Sequence, residues 1–336
     1  HLGSGEYLDP DRRFSTSLGL RADGASYSSR TSQLWRYLSP RVAVSVNVTE
    51  DLALNFSSGV YYQLPAFTAL SYVEQGEYVN GDLSYTRVWE STVGLEYRPQ
   101  PTIKFSAEGF YKDYGNLLLS IADGIPLSDK GDDYGAVGNE ALSQGVDGRA
   151  YGVEFMGRWQ IPSRLSAVAS LTIFRSEYRV DPQSAFVPSA WDNRFILNAS
   201  CSYSLPKNWS VAAKVSAVGG APYTPYDVAS SSLVELWDAT GKAQYDYSQH
   251  NTERLSPYWQ LDLRIDKNYY FERWAMGFYF DVQNVTKSMF AFPDIPVSTG
   301  EVLNPSSPAN EQVYEMKYIE SKSGVLLPTL GIFFEF

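Results

Sequence analysis

Apolar and polar side chains alternate along this chain in segments of about ten residues. From Arg194 to Leu205 the odd positions are apolar and the even positions are polar, with Ile196 as the single break. From Trp259 to Asp266 four large apolar side chains alternate with Gln260, Asp262, Arg264 and Asp266. Successive side chains of a strand point to opposite faces, so each segment has one apolar and one charged or polar face. Charges on one whole face are costly in a dry core and natural in a water-filled barrel.

The pattern predicts an all-β fold, a transmembrane antiparallel up-and-down β-barrel with about twelve strands in this chain. The predicted strands lie near Arg12–Ala22, Pro40–Val48, Leu52–Tyr62, Arg87–Arg98, Thr102–Tyr114, Arg149–Ile161, Arg164–Tyr178, Arg194–Leu205, Trp209–Gly219, Tyr258–Tyr270, Trp274–Asn284 and Val325–Phe336.

The predicted connections are alternately short and long. Short turns near Thr49–Asp51, Pro99–Pro101, Pro162–Ser163, Pro206–Asn208 and Phe271–Arg273 suit the periplasmic side. Long segments rich in Pro, Gly, Ser, Asp and Tyr suit the outside: Gln63–Thr86, Asn116–Gly148, Arg179–Asn193, Gly220–Pro257 and Val285–Gly324. The last strand then runs inward and leaves the aromatic Phe336 at the periplasmic rim.

Composition agrees with a barrel and excludes other classes. The chain has 25 Tyr, 17 Phe and 8 Trp, and it has no apolar run near the roughly 20 residues of a membrane helix. Its net charge of −11 argues against nucleic acid as a partner. The one cysteine, Cys201, cannot form an intrachain disulfide, and its position in the alternation predicts a small lipid-facing side chain.

Several stretches, in order along nearly the whole chain, resemble TonB-dependent outer-membrane receptors. They are Leu38–Val48 followed by Leu52–Pro65, Trp89–Tyr97, Phe110–Tyr114, Gly152–Phe155, Gly219–Pro225, Leu261–Ile265, Asn284–Thr286 and Pro328–Phe336. The style of the loops is similar to receptors of the Bacteroidetes group. Gly331, Phe334 and Phe336 also resemble the signal by which the barrel-assembly machinery selects its clients.

The resemblance implies a larger protein, with a 22-stranded barrel, an N-terminal plug domain and a TonB-contacting box. Residues 1–336 are expected to be the C-terminal portion of that barrel, without the plug domain and the N-terminal strands. The first strand, near Phe14, is then expected to lack its neighbour, and partners must satisfy its backbone in lipid. The alternative is a complete twelve-stranded barrel that acts as a passive channel.

The resemblance implies TonB-energised uptake of a scarce nutrient, of the siderophore, cobalamin, glycan or peptide class, across the outer membrane of a Gram-negative bacterium. The implied partners are the lipid bilayer, the plug and missing barrel half, TonB through the plug, the barrel-assembly machinery and a surface lipoprotein. Tyrosine offers a stacking face and a hydroxyl, so aromatic loop residues are substrate candidates: Tyr223, Tyr226, Trp237, Tyr245, Tyr247, Phe290 and Phe292. Packing within the loops or an interfacial girdle explains the same residues. Inward charges are candidates for a network that contacts the plug, or for simple lumen solvation: Arg41, Glu90, Glu96, Arg98, Glu154, Arg158, Asp262, Arg264, Asp266 and Asp281.

The sequence predicts no catalytic, cofactor or metal site. A barrel hydrolase remains a remote alternative, but the only histidines are His1 and His250, and Asp246 with His250 is the one pair to name. Asp123, Asp129, Asp132 and Asp133 have oxygen ligands suited to calcium. Their spacing matches no EF-hand, which favours a solvated acidic loop.

Overall fold

The computed structural model describes residues 2–8, 13–130 and 138–336. Within this part of the chain there are thirteen main strands. They are β1 (Leu2–Leu8), β2 (Phe14–Ala22), β3 (Leu38–Asn47), β4 (Leu52–Gln63), β5 (Thr86–Gln100), β6 (Ile103–Ser120), β7 (Leu142–Ile161), β8 (Leu165–Arg179), β9 (Phe195–Leu205), β10 (Trp209–Val218), β11 (Tyr258–Tyr270), β12 (Ala275–Gln283) and β13 (Leu327–Glu335). The chain forms two compact units, residues 1–204 and 205–336.

Each unit contains an antiparallel up-and-down arrangement, which confirms the predicted fold class. In the first unit each strand from β1 to β9 pairs with the next along the chain. In the second unit β10 pairs with β11, β11 with β12, and β12 with β13. The register places residues of the same face opposite one another in neighbouring strands. Glu90, for example, lies opposite Gly59 on one side and Lys112 on the other. Polar faces of neighbouring strands therefore adjoin, and so do apolar faces.

The longer connections contain small elements of their own. Among the described residues they include three helices, α1 (Phe67–Leu70), α2 (Val228–Ser232) and α3 (Val234–Thr240), and a hairpin of Ile295–Val302 with Tyr314–Ile319. Short pairs join Val73–Glu74 to Glu77–Tyr78, Pro222–Tyr223 to Glu253–Arg254, Tyr226–Asp227 to Gln244–Tyr245, and Phe290–Ala291 to Lys322–Ser323, while Val187–Pro188 adds to β8. Single 3-10 turns lie at Leu34–Arg36, Leu127–Asp129, Pro206–Asn208, Tyr247–Gln249 and Ala309–Glu311.

The structure corrects three expectations about the strands. The strand near Phe14 has a neighbour, because β1 pairs with it from Leu2 opposite Leu20 to Leu8 opposite Ser15. The connection predicted from Asn116 to Gly148 is shorter, because β6 continues to Ser120 and β7 begins at Leu142. Residues 23–37 form a further long connection, which the alternation pattern does not predict.

A buried apolar cluster of the first unit joins the connection between β4 and β5 to the start of β7. Ala69 and Leu70 of α1 pack with Leu83 and Leu142. The buried side chain of Asn80 ties the same segments together, because its Nδ2 donates to the carbonyls of Ala69 and Glu140, each at 2.8 Å. Its Oδ1 accepts from the amide of Leu142 at 2.9 Å. The connection between β4 and β5 is therefore a packed structure rather than a free loop.

Candidate functional site

The inward-charge candidates of the first unit lie on the polar face of their strands. The guanidinium carbon of Arg41 lies 4.3 Å from the centre of the Tyr61 ring. Tyr61 is on β4, where Gly59 is the residue directly opposite Arg41. A Cβ on Gly59 would come 3.1 Å from both Arg41 and Tyr61, so glycine leaves the room that this contact needs. Glu90 pairs with Lys112 at 3.1 Å.

Further ion pairs lie on β5 and β6. Glu96 binds the guanidinium of Arg98 at 2.5 Å and also pairs with Lys104. Two cations, Lys104 and Arg158, lie directly opposite each other in the register, and so do two carboxylates, Glu108 and Glu154. Like charges directly opposite one another are unfavourable, so these two like-charge pairs are less well satisfied by their own strands than the ion pairs are.

The second unit repeats this charge pattern on β11 and β12. Arg264 donates to Asp266 at 2.6 Å, and its guanidinium carbon lies 4.2 Å from the centre of the Tyr279 ring. Asp262 accepts from Gln260 at 2.6 Å and from the amide of Asn284 at 2.9 Å. Asp281 is opposite Arg264. All ten predicted inward charges thus share a polar face with their strand neighbours, while their contact with a plug stays a prediction.

Aromatic side chains mark two levels on the apolar face of the first unit. Trp89, Tyr111 and Tyr151 follow one another across β5, β6 and β7 with ring centres 6.4 Å apart at each step. Closer to the short turns, Tyr97, Phe105 and Trp159 are exposed on the same face. Between the two levels lie exposed apolar side chains such as Val93 and Phe155. Two aromatic girdles around an apolar band are typical of a barrel surface in contact with lipid.

The loop aromatics fall into two groups in the second unit. Tyr226 and Tyr245 stack with ring centres 4.8 Å apart and planes at 16°, and Tyr247 follows at 6.1 Å from Tyr245. A hairpin of the two short strands sets this pair, because Tyr226 is directly opposite Tyr245. Phe290 and Phe292 pack edge to face at 4.7 Å. The sequence candidates are therefore partly brought together, into a tyrosine stack and a phenylalanine pair.

The other two aromatic candidates lie on different small elements. Trp237 belongs to α3. Tyr223 belongs to the short strand paired with Glu253–Arg254, where burial and then the nearby Glu253 carboxylate raise the pKa of its hydroxyl. It stays a neutral phenol that can donate a hydrogen bond.

The carboxylate of Asp227 anchors the tyrosine stack. It accepts from the amide of Ser230 at 3.0 Å and from the Ser230 hydroxyl at 2.5 Å, which caps α2. These bonds lower the pKa of the Asp227 carboxyl. The cap is one residue from Tyr226, so it fixes the end of the short strand that presents this ring.

Sequence reasoning missed an aromatic cluster at the outer ends of β3, β4 and β5. The ring of Tyr37 lies 4.3 Å from that of Tyr85 and 5.5 Å from that of Tyr62, and Tyr37 is buried. The three residues belong to three different segments, and no spacing in the sequence joins them. The signal that could have found them is the tyrosine at the boundary of each predicted strand.

The calcium candidates are engaged in other contacts where they are described. Asp123 pairs with Lys130 at 2.5 Å, and Glu140 pairs with the same ammonium at 2.7 Å. Burial alone lowers the pKa of Lys130, but the two carboxylates raise it on balance. Asp129 accepts from the amide of Ala190 at 3.3 Å, and Asp132 and Asp133 lie outside the described residues. Among the described residues no group of three or more His, Cys, Asp or Glu is placed to hold a metal ion.

The candidate hydrolase pair has other hydrogen-bond partners. His250 Nδ1 is 2.9 Å from the hydroxyl of Thr224. Asp246 accepts from the amide of Ser248 at 3.0 Å and from the side chain of Gln249 at 2.6 Å. Both residues thus contribute to the folding of the loop.

The terminal residues lie on a strand with two different faces. Gly331 lies beneath the Tyr279 ring, where a Cβ would be 2.1 Å from the ring. Phe334 and Phe336 are exposed, and Phe336 is 97% exposed. Their recognition by the assembly machinery stays a prediction. Cys201 is exposed on the apolar face of β9, opposite Ala167.

A meander with one apolar, aromatic-rimmed face, one charged face and alternately short and long connections defines the class of outer-membrane β-barrels. Within the described residues, no helix has the length and apolar character needed to span a membrane. The family model "TonB dependent receptor-like, beta-barrel" matches residues 7–285, and the chain belongs to this family. A comparison with curated proteins finds no match.

Solved structures share the fold at low sequence identity. The ferripyoverdine receptor of Pseudomonas aeruginosa matches with 14% identity and a TM-score of 0.59, over 86% of this chain and 34% of its own. A mutant of the ferric enterobactin receptor PfeA, also from P. aeruginosa, matches with 18% identity and a TM-score of 0.56, over 85% and 39%. The ferric-catecholate import receptor Fiu from E. coli K12 matches with 12% identity and a TM-score of 0.56, over 96% and 40%. This chain thus spans a little over a third of the length of these receptors, and an origin in Bacteroidetes stays a prediction.

Proposed function

We propose that residues 1–336 are the C-terminal part of a 22-stranded outer-membrane receptor that takes up a scarce nutrient with energy from TonB. The observation that carries the proposal is the family match over residues 7–285 in a chain that covers 34–40% of the receptors it resembles in fold. The plug domain and the N-terminal strands belong, in this proposal, to the remainder of a longer protein. A passive twelve-stranded channel is not favoured by membership of a receptor family.

The polar face supplies the surface on which a plug rests. Its strands hold several of these charges in pairs, such as Glu90 with Lys112 and Arg264 with Asp266. A fixed array of paired charges gives a plug hydrogen-bonding partners without drawing it into a single tight contact. TonB acts through the plug, so the barrel strands need not move for a passage to open.

The tyrosine stack is the first substrate contact that we propose. The rings of Tyr245 and Tyr247 are about two-fifths exposed, at 38% and 39%, although they pack in a stack. Exposed stacked rings offer a flat surface to a planar ligand, and their hydroxyls add hydrogen bonds. The solved receptors similar in fold bind or import ferripyoverdine, ferric enterobactin and ferric catecholates by their titles, so a ferric siderophore is the substrate class to test first.

The remaining assignments follow the same proposal. The protein resides in the Gram-negative outer membrane, with the apolar face in the bilayer and the long connections outside. The assembly machinery recognises Gly331, Phe334 and Phe336, and a surface lipoprotein is a candidate partner for the loops. We assign no enzymatic role, and the contact of Ser120 with Lys130 does not suggest one, because it pairs a fully buried hydroxyl with an ammonium of raised pKa.

The test is accumulation of radiolabelled ferric enterobactin and ferripyoverdine in cells with the full-length protein as the only receptor. Uptake is expected to vanish when TonB is removed. Tyr245→Ala is expected to weaken uptake by about tenfold, since stacking on an aromatic ring contributes on the order of 1 kcal/mol or more. Tyr270→Ala removes an exposed tyrosine at a short turn, far along the chain from the stack, and as the control it is expected to leave uptake unchanged. Uptake that persists without TonB contradicts the proposal and supports a passive channel, and absence of uptake for siderophores, cobalamin, oligosaccharides and peptides alike contradicts both.

A further inference from the structure

One lysine stands on the apolar face of β11. Lys267 follows Leu261, Leu263 and Ile265 on that face and lies directly opposite Trp209 on one side and Phe278 on the other. A cation on a lipid-facing surface is costly at the middle of a bilayer and is tolerated near the headgroups. Lys267 is close to the short-turn end of its strand, which ends at Tyr270.

The surroundings hold the ammonium group in a defined place. Nζ of Lys267 lies 4.8 Å from the centre of the Tyr269 ring and 5.4 Å from that of Trp209. It also donates a hydrogen bond to the backbone carbonyl of Lys207, in the turn before β10. Two rings and one carbonyl orient the side chain, and among the described residues Lys267 has no carboxylate partner. Its neighbour Asp266 is bound by Arg264 on the other face.

The unused hydrogen-bonding capacity points to a phosphate. An ammonium has three donors, and one of them is used by the Lys207 carbonyl, so two remain. The indole N–H of Trp209 and the hydroxyl of Tyr269 form no hydrogen bond with any described residue, and both side chains are exposed. Several donors around one cation, at a lipid-facing rim, match the oxygens of a headgroup phosphate.

We propose that Lys267, Trp209 and Tyr269 form a binding site for the headgroup phosphate of an anionic phospholipid at the short-turn rim. The apolar side chains of β10 and β11, such as Val211 and Ile265, continue from the site along the same face and receive the acyl chains. Placing this rim in the periplasmic leaflet rests on the proposed function, whereas the site itself requires only that the apolar face contacts lipid.

The arrangement also explains why a lysine occupies this position. A long methylene chain can lie along an apolar surface while its charged end reaches the polar interface. The two rings add cation–π attraction that a neutral residue would lack. The ring pair Phe271 and Trp274, stacked at 4.1 Å, and Phe334, 6.1 Å from Trp274, extend the aromatic surface around the rim.

The experiment is native mass spectrometry of the purified full-length protein in mixed micelles with equal amounts of phosphatidylglycerol and phosphatidylcholine. The wild-type protein is expected to retain phosphatidylglycerol in preference. Lys267→Gln is expected to lower that preference about fivefold, the effect of about one basic residue at an anionic surface, and Lys267→Arg is expected to restore much of it. Nutrient uptake by Lys267→Gln is expected to stay normal. Lipid preference therefore tests the binding site, and uptake separately tests the proposed transport function.

Arg273→Gln is the matched control. Arg273 is an exposed cation in the adjacent short turn, without the aromatic rings that surround Lys267. If Arg273→Gln lowers the preference as much as Lys267→Gln, general surface charge and not a site is responsible, and the proposal is wrong. Heat-modifiable migration shows whether Lys267→Gln is folded. If it does not fold, the proposal is tested by the preference of the wild-type protein for phosphatidylglycerol and by whether Lys267→Arg retains that preference. A wild-type protein that retains both lipids equally overturns the site.

Discussion

At the scale of single residues, Gly220 shows that the two ends of the long connection after β10 pack closely against each other. A Cβ on Gly220 would come 1.6 Å from the carbonyl oxygen of Leu255, so backbone must move to admit any side chain. The amide of Leu255 donates to the carbonyl of Ala221 at 2.9 Å, and Arg254 donates to the carbonyl of Gly220 at 2.7 Å. These bonds join the two ends of the segment that contains the tyrosine stack.

We expect Gly220→Ala to destabilise this segment by about 1–3 kcal/mol, the usual cost of overpacking. The measurement is the rate of protease cleavage within residues 221–257, together with urea unfolding of the full-length protein. Gly19→Ala is the control, because a Cβ there would meet its nearest atom at 3.9 Å, an ordinary contact. Equal cleavage rates for the two variants would contradict the close packing at Gly220.

At the level of residues, the sequence predicted which face of a strand carries the charges, because the alternation of side chains alone decides this. The parity of a strand placed Glu90, Asp262 and the other charges on one face, because alternation needs no knowledge of neighbours. It could not assign partners such as Lys104 for Glu96, which depend on the register between strands. The stacking of Tyr226 on Tyr245 is equally invisible, because a hairpin inside the loop brings the two rings together.

At the scale of elements, β7 offers a direct test of its two faces. Phe155 lies on the apolar face between the two aromatic levels and is 47% exposed, while Met156 next to it faces Ser106 and Ser170 on the polar face. We expect Phe155→Arg to destabilise the protein in a bilayer by about 2–4 kcal/mol, because arginine is costly at the lipid-facing midplane. Met156→Arg introduces the same charge one residue away and is expected to cost much less. The measurement is urea unfolding of the full-length protein in lipid vesicles, and a larger cost for Met156→Arg would reverse the assignment of faces.

The end of β6 and the strand β1, which the sequence did not predict, lack a continuous alternation of apolar and polar side chains. Register shifts between Tyr114 and Leu117, and again between Leu117 and Leu118, interrupt β6, and Asn116 has a positive φ of 61°. A bulge changes the phase of the side chains, so the regular alternation stops although pairing continues to Ser120. In the segment of β1, glycines occupy positions 3 and 5, which leaves too few large side chains to show a period.

At the scale of the whole molecule, the strand order leaves two outer edges. Within its own unit β1 pairs with β2 alone, and β13 pairs with β12 alone. Each unpaired backbone group in lipid costs several kcal/mol, so both edges need partners. In the proposed 22-stranded barrel these partners are the N-terminal strands. The structure thus places this edge at β1 rather than at β2.

We expect residues 1–336 expressed alone to fail to form a stable barrel, whereas the full-length protein folds under the same conditions. The reason is the cost of the open edges, which the apolar face cannot offset because lipid solvates it in either case. The measurement is gel migration before and after boiling, combined with resistance to protease, since a closed barrel migrates compactly until it is heated. Adding the N-terminal part as a separate chain is expected to restore compact migration. A compact, heat-modifiable monomer from residues 1–336 alone would contradict the proposal, since the edges would then have to close on each other, as they do in a complete small channel.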